Sequence, residues 1–178
     1  MTTPSSPRDK SKDLALVGTT IAGKYRVLQL LGQGGFGSVF LVEIVSGMMG
    51  DKLALKLLPA ELTSDEKAKA QFLNEIRVAM RMVNKYIVQI RDVGETEAGH
   101  LYYTMDYCPG ETLATVLKNE GKLHPLRAIP ITLRILEALK TAHTAGVIHR
   151  DLKPANVMVF QQDNHETVRV LDFGIATA

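Results

Sequence analysis

From Tyr25 onward the chain sets short runs of apolar, β-branched and aromatic residues between glycine-rich breaks. Tyr25 to Leu31 is apolar-rich, Gly32-Gln33-Gly34-Gly35-Phe36-Gly37 interrupts it, and Ser38 to Val45 resumes with Val39, Phe40, Leu41, Val42, Ile44 and Val45. Runs of this kind predict strands. Gly47 and Gly50 mark another turn, and Lys52 to Leu58 reads as a third strand ended by Pro59. Three short strands joined by turns predict an antiparallel meander. The period then lengthens. Thr63 and Glu66 have capping-box spacing, and Phe72, Ile76, Ala79, Met80 and Val83 follow at helical intervals. Glu75 lies on or beside that apolar face, where an acid is costly unless paired. Ile87 to Val93 and His100 to Tyr107 predict two more strands, and Pro109-Gly110 breaks the pattern. After this joint the texture turns helical. Thr112 to Asn119 is closed by Gly121, and Pro125 to Ala145 carries Leu126, Ile129, Leu133, Leu136, Leu139 and Ala142 in phase. Val157 to Phe160 and Thr167 to Leu171 predict a last strand pair around a polar turn, Gln161 to Glu166. The order is a strand-rich half, a Pro-Gly joint and a helix-rich half.

Residues 1–18 are rich in Ser, Thr, Pro and charge, and read as a flexible leader. The whole chain of 178 residues nonetheless has the composition of a globular protein, with 46% hydrophobic and 22% charged residues. Lys plus Arg numbers 21 and Asp plus Glu 19, a formal charge of +2, too small a surplus to make nucleic acid the expected partner. The single cysteine, Cys108, cannot form an internal disulfide. No apolar run approaches the roughly 20 residues of a membrane span. The amino terminus has no apolar core after a basic start, so a secretion signal is not expected and the chain reads as cytoplasmic.

Four constellations carry candidate chemistry. In Gly32-x-Gly34-x-x-Gly37 the absence of side chains lets backbone amides approach phosphate oxygens. Alone, the motif is equally a hairpin turn. A dinucleotide site needs a helix directly after the glycines, whereas Ser38 to Val45 is strand-like and Asp51 falls in a turn. Lys56 closes the apolar strand Leu53-Ala54-Leu55-Lys56. A lone lysine there is ordinarily a surface charge, but an inward Lys56 and an inward Glu75 can neutralise one another. His149-Arg150-Asp151-Leu152-Lys153-Pro154-Ala155-Asn156 groups a carboxylate, an ammonium and an amide between a helix and a strand. A carboxylate can accept a hydroxyl proton, and an amide oxygen can ligate a hard cation. Asp172-Phe173-Gly174 puts a second carboxylate after an apolar strand.

In this order and spacing, these motifs resemble a protein kinase, specifically the eukaryotic-type Ser/Thr kinases of bacteria, over about residues 24–177. The resemblance implies an α+β, protein-kinase-like fold: an antiparallel-sheet small lobe with one helix (19–107) that binds ATP, then an incomplete, mainly helical large lobe (108–178) with the catalytic loop. It implies that Gly32, Gly34 and Gly37 cover the ATP phosphates, that Lys56 holds the α- and β-phosphates, and that Glu75 pairs with Lys56. Asp151 would orient and deprotonate the substrate hydroxyl, Lys153 would contact the γ-phosphate, and Asn156 and Asp172 would hold magnesium. Leu31, Val39, Ala54 and Met158 resemble the adenine-pocket lining, and the backbone at Asp106 and Cys108 the adenine-binding hinge. The acceptor would be a protein Ser or Thr.

The other residues read as structural. Cys108 fits a small pocket-lining residue better than a nucleophile, with no activating base adjacent in sequence. His149 fits a packing residue, and His100, His124, His143 and His165 lack metal-ligand spacing. The sequence given ends four residues after Gly174, so the resemblance implies the front part of a longer catalytic domain. The helix at 125–145 is then expected to expose apolar surface, and the 178 residues alone to transfer little phosphate. The alternative is a catalytically inactive kinase fragment that binds nucleotide or a partner.

Overall fold

The structure, a computed structural model, describes residues 10–35, 37–46, 51–60 and 65–173. The chain divides into two compact units, Met1–Leu73 with Ile90–Tyr107, and Asn74–Gln89 with Cys108–Ala178.

The first unit is built on a six-stranded antiparallel sheet. Its strands are β1 (Thr20–Ile21), β2 (Tyr25–Gly34), β3 (Gly37–Ile44), β4 (Lys52–Leu57), β5 (Ile90–Glu95) and β6 (Leu101–Asp106), in the order β1-β2-β3-β4-β6-β5. Alternation sorts the side chains by face. Phe40, Val42, Leu55, Leu57 and Tyr102 join Tyr25, Val27 and Ile21 in one buried cluster. The opposite face carries Val39, Leu41, Ala54, Lys56, Tyr103 and Met105, as the register of β3, β4 and β6 requires. Two register slips in β2, between Val27 and Gln29 and between Leu30 and Gly32, are bulges of the kind that bend and twist a strand.

The helix α2 (Glu66–Met80) follows β4. Thr63 of the expected capping box lies outside the described residues. Asp65 supplies a capping bond instead, its Oδ1 accepting from the Lys67 amide at 2.9 Å. Phe72, Ile76 and Ala79 are buried as the spacing predicts, but Val83 is not: the helix stops at Met80 and Val83 is exposed. The expected strand at Ile87 to Val93 begins later, at Ile90. Ile87 instead forms a parallel bridge to Val170.

The second unit holds β7 (Glu111–Thr112), α3 (Leu113–Glu120), α4 (Pro125–Thr144), β8 (Val157–Gln162) and β9 (His165–Val170), its strands in the order β7-β8-β9. Its core is aliphatic: Val116, Ile131, Val157, Val159 and Val168. A side chain at Gly110 would collide with the Val159 carbonyl oxygen, which explains the glycine at the joint. The polar turn is tighter than expected. Gln162 pairs with His165, so only Asp163 and Asn164 form the loop, both at positive φ, 50° and 63°. Short polar side chains tolerate that conformation, and it matches strand twist.

In α4 most of the residues in helical phase point outward, Ala142 being buried and Leu139 half-buried. Leu126, Ile129, Leu133 and Leu136 are exposed, while Ile131, Ala138 and Ala142 form the buried face. The expected exposed apolar surface on this helix is therefore present.

The expected leader needs correction over residues 10–18. Lys10–Leu14 forms a short helix, α1, and Asp13 is only 6% exposed. The Gly18 amide donates to the Val27 carbonyl and the Val27 amide to that of Thr19, both at 2.9 Å. These ladder bonds, the burial of Ile21 and the packing of Leu16 against the same cluster hold the segment against β2, Leu14 to Val17 being an apolar run inside the expected leader. Ser5, Ser6, Gly47 and Gly50 lie outside the described residues. No helix among the described residues is long and apolar enough to cross a membrane.

Candidate active site

In the first unit, register places the candidate residues in one row across four strands. Gly32 pairs with Val39, Val39 with Lys56, and Lys56 with Tyr103. Val39, Ala54 and Lys56 therefore share a face. Lys56 is 7% exposed, with its ammonium 5.9 Å from the Tyr103 ring centre. Burying an ammonium is costly unless negative charge offsets it. Gly34 pairs with Gly37 where the hairpin closes. At Gly37, φ is +114° and a Cβ would strike the Leu57 carbonyl oxygen, so only glycine fits. Leu31 lies exposed near the end of β2, and Asp106 ends β6 with its carboxylate accepting from Arg91 Nε.

In the second unit the candidate residues stand on two irregular segments. Asp151 lies between α4 and a single 3-10 turn, Pro154–Asn156. Lys153 Nζ is 3.0 Å from Asp151 Oδ1 and 2.8 Å from Oδ2. Asn156 Nδ2 donates to the Asp151 carbonyl at 2.8 Å and to Oδ2 at 3.1 Å. The Lys153 hydrogen bond, with that of Asn156 behind it, holds the Asp151 carboxyl below the usual carboxylate range. Asp151 is thus an oriented, ionised acceptor at neutral pH.

His149 ties the two segments together. It is 3% exposed. Its Nε2 lies 2.8 Å from the Leu171 carbonyl, and the Asp151 amide donates to its Nδ1 at 3.3 Å. A carbonyl only accepts, so Nε2 carries the proton. The Phe173 ring sits 4.8 Å away, and the Leu171 amide donates to the Asn156 carbonyl at 2.9 Å. Asp172, between Leu171 and Phe173, has φ +53°, and Arg150 has φ +61°. Anchors on either side hold these residues in the left-handed region. The packing role expected of His149 is therefore also a positioning role.

Glu75 of α2 is partly buried, with Arg150 Nη1 4.0 Å from its Oε1. Met158 lies partly buried on β8 between its partners Thr112 and Arg169. Cys108 is buried, and Arg169 Nη1 lies 4.0 Å from its sulfur. Gly174 lies outside the described residues.

The donor set fits magnesium. Asn156 commits its amide nitrogen to Asp151, so its oxygen is the atom that would face a hard cation, and Asp172 would add a carboxylate oxygen. Among the described residues no group of three or more His, Cys, Asp and Glu could hold a metal. A hard cation that keeps several waters and takes the rest of its shell from phosphate oxygens needs no such group.

The first unit thus carries a glycine hairpin and a buried strand lysine, and the second an aspartate-bearing loop anchored to an Asp-Phe segment. Residues 25–178 match the family described as protein kinase domain, and the chain belongs to that family. It is 44% identical over 161 residues to the serine/threonine-protein kinase pkn3 of Myxococcus xanthus, covering 90% of this chain and 29% of that protein. It is 35% identical over 163 residues to PrkC of Bacillus subtilis, covering 92% and 24%. The chain thus spans under a third of the length of either relative. The crystal structure of the Mycobacterium tuberculosis PknI kinase domain matches with TM-score 0.77 at 32% identity, over 90% of this chain and 61% of that one. Rad53 in complex with AMP-PNP matches with TM-score 0.73 at 25% identity, over 85% and 38%. The fold is that of a protein kinase: an antiparallel-sheet small-lobe architecture and a partial, helix-containing large lobe.

Proposed function

We propose that this chain is the ATP-binding and catalytic-loop part of a magnesium-dependent serine/threonine protein kinase. The carrying observation is Asp151, held ionised and aimed by Lys153 and Asn156 within the family's catalytic-loop motif. The relatives named as serine/threonine kinases and the AMP-PNP complex of Rad53 support the acceptor class and the nucleotide.

In this reading the small lobe ends at Tyr107 and the large lobe begins at Cys108. Gly32, Gly34 and Gly37 lie over the phosphates with no side chain to hold them off. Lys56 contacts the α- and β-phosphates and is oriented by Glu75. Leu31, Val39, Ala54 and Met158 line the adenine pocket, and the backbone at Asp106 and Cys108 bonds the adenine edge. Asn156 and Asp172 hold magnesium, which when bound neutralises phosphate charge. Asp151 orients the substrate hydroxyl and takes its proton as the oxygen bonds to the γ-phosphorus. The bond from that phosphorus to the bridging oxygen of ADP breaks in the same displacement. Lys153 stabilises charge on the transferring group.

The test replaces Lys56 by Met, Asp151 by Asn and Asp172 by Asn in the full-length protein and measures phosphate transfer from labelled ATP to a protein acceptor. Loss of Asp151 should lower the rate about 10²–10⁴-fold, with comparable losses for the other two. Wild-type rates in all three variants would remove the proposal.

A further inference from the structure

Asp13 lies outside the region matched to the kinase family, yet its carboxylate is hydrogen-bonded to two side chains of the glycine-rich hairpin. Its Oδ2 accepts from Gln33 Nε2 at 2.8 Å and, in a shorter hydrogen bond, from Ser38 Oγ. Gln33 and Ser38 are direct register partners on β2 and β3. They stand between Gly32 and Gly34 and beside Gly37, so one carboxylate oxygen spans both strands at the closing end of the hairpin. Ser38 is fully buried, and Asp13 nearly so. By strand alternation Gln33 and Ser38 project from the face opposite Val39 and Lys56. Asp13 therefore grips the hairpin from the side that the nucleotide would not use.

A glycine-rich hairpin is entropically loose, and its amides can serve a phosphate only if they are held near one geometry. Two hydrogen bonds donated by opposite strands to one buried carboxylate oxygen supply that restraint. The carboxylate is itself fixed, because the segment after α1 is laddered to β2 through Gly18, Thr19 and Val27. We infer that Asp13 is a positioning residue for phosphoryl transfer, an amino-terminal clamp that presets the glycine-rich loop for ATP. The inference rests on the kinase reading above and adds a residue that the motifs do not contain.

The experiment uses the full-length protein and compares wild type with Asp13→Ala, Asp13→Asn, Ser38→Ala and Asp13→Ala/Ser38→Ala. Amide hydrogen exchange over residues 32–38 is followed without nucleotide. ATP affinity is measured by calorimetry, and KM and kcat by phosphate transfer, well below the melting temperature. Asp13→Ala should speed loop exchange and raise Kd and KM for ATP, each about tenfold, the scale of a lost hydrogen bond to a charge. At saturating ATP, kcat should stay within about threefold, since Asp13 touches no reacting group. Asp13→Asn should fall between. Adding Ser38→Ala to Asp13→Ala should change little more, because the two share one interaction.

A purely structural role would lower the melting temperature and leave loop exchange and KM for ATP unchanged. That result overturns the inference. If Asp13→Ala does not fold, Asp13→Asn and Ser38→Ala decide it, and unchanged exchange and affinity in both overturn it. Wild-type protein that binds no ATP would sink the kinase reading, while the nucleotide-free exchange comparison would still decide whether Asp13 restrains the hairpin.

Discussion

In the first unit Val39, Ala54 and Lys56 stand on adjacent strands of a six-stranded sheet, fixed by ladder hydrogen bonds and a buried aromatic cluster. In the second unit Asp151, Lys153, Asn156 and Asp172 stand on segments outside the strands, fixed by His149, by Asn156 and by single backbone bonds. The residues assigned to bind nucleotide thus depend on the core, whereas those assigned to the reacting atoms depend on a local polar network. A sheet holds a surface whose shape need not change. A loop can hold groups in geometries that no regular element offers, such as Asp172 and Arg150 at positive φ. Damage to the two regions should therefore read out differently, as lost folding in one and lost rate in the other.

The strongest way to break this contrast is in the cores. Phe40→Ala in the aromatic cluster should cost about 3–5 kcal/mol, and Ile131→Ala in the aliphatic cluster about 2–5 kcal/mol. Both are read from denaturant melts followed by probes placed in each unit. If either substitution shifts the signals of both units equally, they form one cooperative block and the contrast fails. Gly37→Ala comes next, at about 1–3 kcal/mol, because it forces a side chain into positive φ against Leu57. An unchanged melt would show that the hairpin tip relaxes freely.

Leu133→Ser tests the outward stripe of α4 and should shift the stability of the 178-residue chain by no more than about 0.5 kcal/mol. A loss of several times that would show that the stripe is covered. The finest test is the pH profile. Ionised Asp151 is the working form, so the rate should fall as pH drops through its lowered pKa. Lys153→Met removes the leading cause of the lowering, so the remaining activity should lose its acid limb at higher pH. An unmoved limb would separate Asp151 from the titration.

The sheet of the first unit was legible because β-branched runs alternate with glycines, and α2 because Phe72, Ile76 and Ala79 keep helical spacing. The α4 pattern was legible as a helix but misleading about burial. Leu126, Ile129, Leu133 and Leu136 are an exposed stripe, and of the in-phase residues only Ala142 is fully buried, joined by Ile131 and Ala138 from outside the pattern. Asp13 was hidden for the opposite reason. It ends a polar stretch with no period, next to an apolar run of only four residues, and only the register of Gln33 with Ser38 gives its carboxylate a target. The candidate site was legible as motifs, since Asp151, Asn156 and Asp172 keep fixed offsets. The tie from His149 to Leu171 was not, because it joins a side chain to a backbone carbonyl 22 residues away.

The short strand β1 and the segment before it also bear on where the small lobe can be cut. The family match begins at Tyr25, but a form starting there would lose β1, α1 and Asp13 together. Ser38 would lose the carboxylate that accepts from its hydroxyl. β2 would gain a bare edge, with the Val27 amide and carbonyl open to pairing with another molecule. Trimmed forms should therefore self-associate through that edge, an outcome read by comparing the oligomeric state of a form that begins at residue 25 with one that keeps residues 10–24.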